Sequence, residues 1–119
     1  MDLVVVIDVS NQVDEETMKL LKIYAKGIID EYTFGENDTH ASLITYDNRP
    51  NVQITLDAGV SRTELKDLVE SVTVEYGAPR FDRAMDAVVR ILNTRRADRA
   101  VPATVVVFSK GNCLQPVSS

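Results

Sequence analysis

Leu3-Val4-Val5-Val6-Ile7-Asp8-Val9-Ser10-Asn11-Gln12 is an aliphatic run that ends abruptly in side-chain oxygens. Apolarity from Leu3 to Ile7 is continuous rather than alternating. That pattern marks a strand covered on both faces, as in the middle of a parallel sheet. Asp8, Ser10 and Gln12 then follow at every second position, where the strand leaves the core.

The remaining elements fall on either side of this strand. Asp14-Glu15-Glu16 opens a helix, with acids placed at the positive end of its dipole. Met18, Leu21, Ala25, Ile28 and Tyr32 recur at helical spacing, and Leu20, Tyr24 and Ile29 widen that stripe into a face that packs on a sheet. The turn cluster from Phe34 to Asp38 stops it. Ala41 to Tyr46 reads as a second strand, Asp47-Asn48-Arg49-Pro50 as a turn, and the alternating Val52 to Leu56 as a third strand, an edge paired in a hairpin. Ser61 caps a second helix carrying Leu65, Leu68, Val69 and Val72, and Glu64 completes a capping box. After the loop Glu75 to Pro79, a third helix runs from Arg80 to about Thr94 with Phe81, Met85, Val88 and Leu92 in line. A polar link from Arg95 to Ala100 leads past Pro102 to a fourth buried strand, Thr104 to Phe108, closed by Ser109-Lys110-Gly111. The order βαββααβ is an α/β layered design with right-handed crossovers.

The 119 residues fit one domain over 1–119, and 45% hydrophobic content is that of a globular chain. A net charge of −5 argues against nucleic acid and anionic membrane as partners, since both attract a basic face. No stretch approaches the length of a membrane helix, so no membrane insertion is expected. Met1 is followed at once by Asp2 with no secretory leader. The chain therefore reads as intracellular or as a mature segment of a longer secreted protein, extracellular in the second case. Cys113, the single cysteine, forms no internal disulfide. Asn37-Asp38-Thr39 makes Asn37 a glycosylation candidate.

The motifs together resemble the von Willebrand factor A domain, close to its integrin I-like, matrix and adhesion branch. Asp8-Val9-Ser10 resembles the family's Asp-x-Ser-x-Ser loop, and the segment 42–56 its second and third strands. Gly77-Ala78-Pro79 with the following helix resembles the Gly-Gly-Thr-x-Thr loop, and Val101 to Gly111 the strand that ends in Thr-Asp-Gly. The resemblance implies a three-layer, Rossmann-like, mostly parallel sheet in the order 3-2-1-4, with the third strand antiparallel. It also implies a crevice at the switch point beyond the carboxyl ends of the strands. There the family holds a divalent cation, and a partner's carboxylate completes its shell.

Three departures fall on that site. Gln12 replaces the second Ser, Pro79 aligns with the ligand Thr and carries no side-chain oxygen, and Lys110 aligns with the Asp of the last loop. At ~4 Å and an effective dielectric near 20, each unit charge product is worth ~4 kcal/mol, so a lysine in place of an aspartate opposes a dication strongly. The expectation is a degraded site made of Asp8, Ser10, Gln12, Pro79, Ser109 and Lys110, with no bound metal. Lys110 would neutralise Asp8, and Ser10 and Ser109 would supply hydrogen bonds. Any residual Mg2+ or Mn2+ would rest on Asp8 and Ser10.

Other chemistries find less support. His40 is the only histidine and has no neighbouring cysteine or histidine, so a surface role at the strand start is expected. Asp82 and Asp86 share a helix face with Arg83 and Arg90 and read as surface ion pairs. The loop 9–14 lacks the glycines of a phosphate cradle. The family domain usually continues past a fourth strand, so the chain reads as C-terminally truncated, with Thr104 to Phe108 as a bare edge open to self-association. The sequence thus points to a non-enzymatic module that binds other proteins without a cofactor, related to the extracellular matrix or cell adhesion. A metal-dependent ligand-binding domain and an intracellular α/β enzyme are the alternatives.

Overall fold

The computed structural model describes residues 1–94, 101–110 and the backbone of 115–118. The aliphatic run forms β1 (Asp2–Asp8), buried along its whole length at the centre of a five-stranded sheet. β2 (His40–Tyr46) and β4 (Ala103–Phe108) flank it in parallel, with Leu3 beside Ala41 and Thr104 and Ile7 beside Thr45 and Phe108. β3 (Pro50–Ile54) pairs antiparallel with β2 on one edge. β5 (Gln115–Ser118) pairs antiparallel with β4 on the other, giving the order β3-β2-β1-β4-β5.

Covering both faces of β1 explains its unbroken apolarity. Leu3, Val5 and Ile7 face one cluster, which is roofed by α1 (Glu15–Ile29) and α2 (Arg62–Ser71). Val4 and Val6 face the other, roofed by α3 (Phe81–Thr94). The caps form where the sequence places them. The Asp14 side chain accepts from Thr17 N–H at 2.7 Å. Ser61 Oγ accepts from Glu64 N–H at 3.1 Å, while Glu64 Oε1 accepts from Ser61 N–H at 3.2 Å.

Several expectations need correction. β4 is not an open edge: β5 occupies the side left by β1, so the route to self-association through Thr104–Phe108 is closed. β3 begins at Pro50 rather than Val52, because the tight Asp47–Arg49 turn returns the chain at once and Pro50 faces Tyr46. A proline is tolerated there as the first residue of an edge strand. Leu56 leaves the strand for a 3₁₀ turn, Leu56–Ala58, and is buried beneath α3. On α1, Leu20 and Tyr24 point away from the sheet and are about half exposed, since Met18, Leu21, Ala25 and Ile29 already fill the contact face. On α3 the buried line is Ala84, Ala87, Val88 and Ile91, with Phe81 exposed. The alanines bring the helix backbone close to the sheet. Arg83 does not pair with Asp82; Arg80 does, at 2.8 Å, and Arg83 donates to the Asn48 carbonyl. Arg95 to Ala100, Gly111 and Cys113 lie outside the described residues.

Candidate functional site

The carboxyl ends of β1, β2 and β4 lie at one end of the sheet, where the segments after β1 and β2 border a crevice. Asp8, the last residue of β1, is only 3% exposed. Its Oδ1 accepts from Ser10 N–H at 2.8 Å, an Asx turn that bends the chain out of the strand. Ser10 is fully buried, and its Oγ accepts from Gln12 N–H at 3.3 Å. Gln12 itself is exposed.

Parallel register places Tyr46, the last residue of β2, directly beside Asp8 on the face covered by α3. Its hydroxyl is within hydrogen-bonding reach of the Asp8 carboxylate. Burial, then the Asp8 charge and that contact, push the Tyr46 pKa well above the usual phenol range. The Tyr46 ring meets Phe81 edge-on, with centroids 6.1 Å apart. The sequence marks Tyr46 as the end of the second strand; the register of β1 on β2 brings it beside Asp8.

The loop 72–80 is pinned across the mouth. Glu75 and Tyr76 donate backbone N–H groups to the Val9 carbonyl at 2.8 and 3.3 Å, and Asn11 N–H reaches the Gly77 carbonyl at 2.8 Å. Tyr76 holds φ at +67°, a left-handed conformation that costs a non-glycine residue roughly 1–2 kcal/mol. Gly77 packs closely on the β2–β3 turn: a Cβ there would lie 2.4 Å from Asp47 Oδ2, so that side chain would have to turn aside. Arg80 N–H then binds the Asp47 carbonyl at 2.9 Å, tying the loop to the β2–β3 turn.

Of the residues expected at the site, Asp8 and Ser10 are buried, Pro79 and Ser109 are half-buried, and Gln12 and Lys110 face solvent. Among the described residues no ion pair joins Lys110 to Asp8. The Asp14 carboxyl lies below the usual range, chiefly through the Thr17 N–H that it accepts, with a lesser contribution from the Lys110 charge. The sequence reading missed Asp47, Glu75 and Tyr76. The only signal for them was their position in the two loops that flank the first. His40 lies at the other end of β2, with its ring nitrogens 3.2 Å from the Leu56 carbonyl and 2.9 Å from the Glu36 carbonyl. Asn37 is exposed on the α1–β2 connection.

The architecture has counterparts in known proteins. Proximal thread matrix protein 1 from the mussel byssus, with a zinc-occupied MIDAS motif, superposes with a TM-score of 0.76 over 90% of this chain, at 20% identity. BatB from Bacteroides thetaiotaomicron gives 0.73 over 95% at 15% identity, and the type V pili tip protein Mfa5 from Porphyromonas gingivalis 0.74 over 92% at 18%. The chain spans 28%, 55% and 19% of the length of those three structures. Comparison with curated protein sequences returns no match. The family model for the von Willebrand factor type A domain matches residues 2–116, and domains of this kind are in general non-enzymatic modules that bind other proteins. The chain belongs to the von Willebrand factor type A domain family.

Proposed function

We propose that this chain is a non-enzymatic protein-interaction module of the matrix and adhesion kind, whose crevice engages its partner without a bound cation. The supporting observation is the way Asp8 and Ser10 spend their oxygens. Asp8 Oδ1 accepts from Ser10 N–H with the Tyr46 hydroxyl in reach of the same carboxylate, and Ser10 Oγ accepts from Gln12 N–H. A hard divalent ion needs about six oxygen donors in its shell. Pro79 contributes no side-chain oxygen, and exposed Lys110 stands at the position where the family has an aspartate. The residues present do not fit the family's ion. The matrix association is supported by the likeness to a byssus matrix protein, and an extracellular setting goes with it.

Thermal melts with and without magnesium test this reading. An ion bound only by the folded state at a thousand times its Kd would add about 4 kcal/mol of stability. The proposal expects the same Tm in millimolar Mg2+ and in chelator. A rise that disappears in Asp8→Ala would overturn it.

A further inference from the structure

Asn37-Asp38-Thr39 is the only Asn-x-Ser/Thr tripeptide in the chain, and its middle residue is not proline. The fold treats its two ends differently. Asn37 is exposed at the centre of the turn Gly35–Asp38, and its side chain makes no hydrogen bond or ion pair with any described residue. The backbone beyond it is pinned: Asp38 N–H donates to the Gly35 carbonyl at 3.1 Å, and Thr39 N–H to the Thr33 carbonyl at 2.9 Å. Thr39 is 6% exposed, yet its hydroxyl has no hydrogen-bond partner among the described residues. Buried hydroxyls are as a rule hydrogen-bonded, so packing does not account for a threonine there. Nothing in the finished fold uses either the Asn37 amide or the Thr39 hydroxyl, the two groups that define a glycosylation acceptor.

Resting on the extracellular setting proposed above, we propose that Asn37 carries an N-linked glycan, attached before the chain folds and held at the pole of the sheet opposite the crevice. In the transfer, Asn37 Nδ2 bonds to the anomeric carbon of an oligosaccharide carried on a lipid pyrophosphate. The bond from that carbon to the pyrophosphate oxygen breaks, the lipid pyrophosphate leaves with its electron pair, and the amide gives up one proton. The transferring enzyme also reads the hydroxyl two residues on. Burial of Thr39 closes that access once the segment 33–40 has docked, so transfer comes first. The product suits the folded state, since Asn37 stays at the surface. Its place follows from the strand register. His40 pairs with Asp2 at the start of β1, whereas Tyr46 pairs with Asp8 at its end. The six residue steps between them, at ~3.3 Å each, put the glycan about 20 Å from the crevice. A bulky, hydrophilic chain there leaves the crevice open to a protein partner and bars the opposite pole from an interface.

The test is cell-free translation of the full chain behind a secretory leader, in the presence of rough microsomes, with added protease marking the translocated product. The expected result is a protected chain of lower mobility that peptide-N-glycosidase returns to the unmodified position, leaving aspartate at position 37. Asn37→Gln and Thr39→Val should abolish the shift, and Thr39→Ser should retain it. Chain folded beforehand and given to the same transferring enzyme should stay unmodified, while the native glycosylated chain should release its glycan without denaturant. A protected chain with no mobility shift overturns the inference and leaves the cation-free reading standing, because the magnesium melts judge that reading separately. A shift that survives in Asn37→Gln also overturns it. Equal modification of the folded chain, or a glycan released only after denaturation, overturns the order of events and the surface placement.

Discussion

Replacing Tyr46 with phenylalanine isolates the contact of its hydroxyl with Asp8 at the base of the crevice. The ring stays, with its edge-on contact to Phe81 at 6.1 Å and its place on the α3 side of the sheet. Only the hydroxyl on Asp8 is lost. Hydrogen bonds to charged groups contribute about 1.5–3 kcal/mol, and Asp8, 3% exposed, cannot turn to water for a substitute. A loss of about 2 kcal/mol lowers the Tm of a chain this size by roughly 6–10 °C, read by calorimetry or circular dichroism. The same loss should shrink by about 1 kcal/mol or more when Asp8 is already Asn, since a neutral amide oxygen is a weaker acceptor. Alkaline pH gives an independent readout. The folded pKa of Tyr46 lies above that of the unfolded chain, so its contribution is complete below about pH 10 and is lost as pH rises further. Ultraviolet titration should show a late tyrosinate component that vanishes in Tyr46→Phe. Strict additivity of the two substitutions, together with no late component in the parent chain, would refute the Asp8–Tyr46 pairing.

Other outcomes follow from the same geometry. Ser61→Ala removes the capping-box hydroxyl from Glu64 N–H and should cost about 1 kcal/mol in urea denaturation, with Ser61→Gly costing less. Gly77→Ala makes the Asp47 carboxylate turn aside; it should cost no more than about 0.5 kcal/mol and displace the Asp47 amide resonance. At acid pH, Arg80 holds the Asp82 carboxyl at about 2, Lys26 lowers that of Glu70, and the Thr17 N–H lowers that of Asp14. Each folded value lies below the unfolded one, so these contributions are present above about pH 4.5 and are lost as pH falls toward 2. The urea midpoint should drop over that range, and Arg80→Ala should flatten its lowest part.

Elements governed by burial on both faces or by local capping were legible in the sequence. β1 and β4 declare themselves by unbroken apolar runs, and the Ser61–Glu64 box fixes the start of α2 within a few residues. The parallel arrangement about β1, with β3 reversed, also agrees with the expectation drawn from the family resemblance. What escaped the reading depends on contacts distant in sequence. The pattern Gln115–Ser118 is too short and mixed to announce a strand, yet its pairing decides whether β4 is an edge. Leu20 and Tyr24 fit a helical stripe by spacing, but the sheet accepts only the narrower line through Leu21 and Ala25. α3 shows the reverse, where small alanines rather than Phe81 make the contact, because helix-to-sheet distance is set by the smallest side chains between them. At the crevice, Asp8 and Ser10 were legible as a motif. The Tyr46 hydroxyl was not, since only the register of β1 on β2 brings it beside Asp8. Lys110 aligned with an acidic position suggested an ion pair. The chain instead turns that side chain to solvent, on the side of Asp14.

Paramagnetic broadening by Mn2+ tests the central claim, a crevice that works without an ion, most directly. With the amides of Ser10 and Gln12 assigned, micromolar Mn2+ added to the labelled chain should leave both resonances as sharp as those of α2, on the flank of the sheet. Selective loss of the Ser10 and Gln12 signals at such concentrations, abolished by Asp8→Ala, would place a cation at the end of β1 and contradict the account.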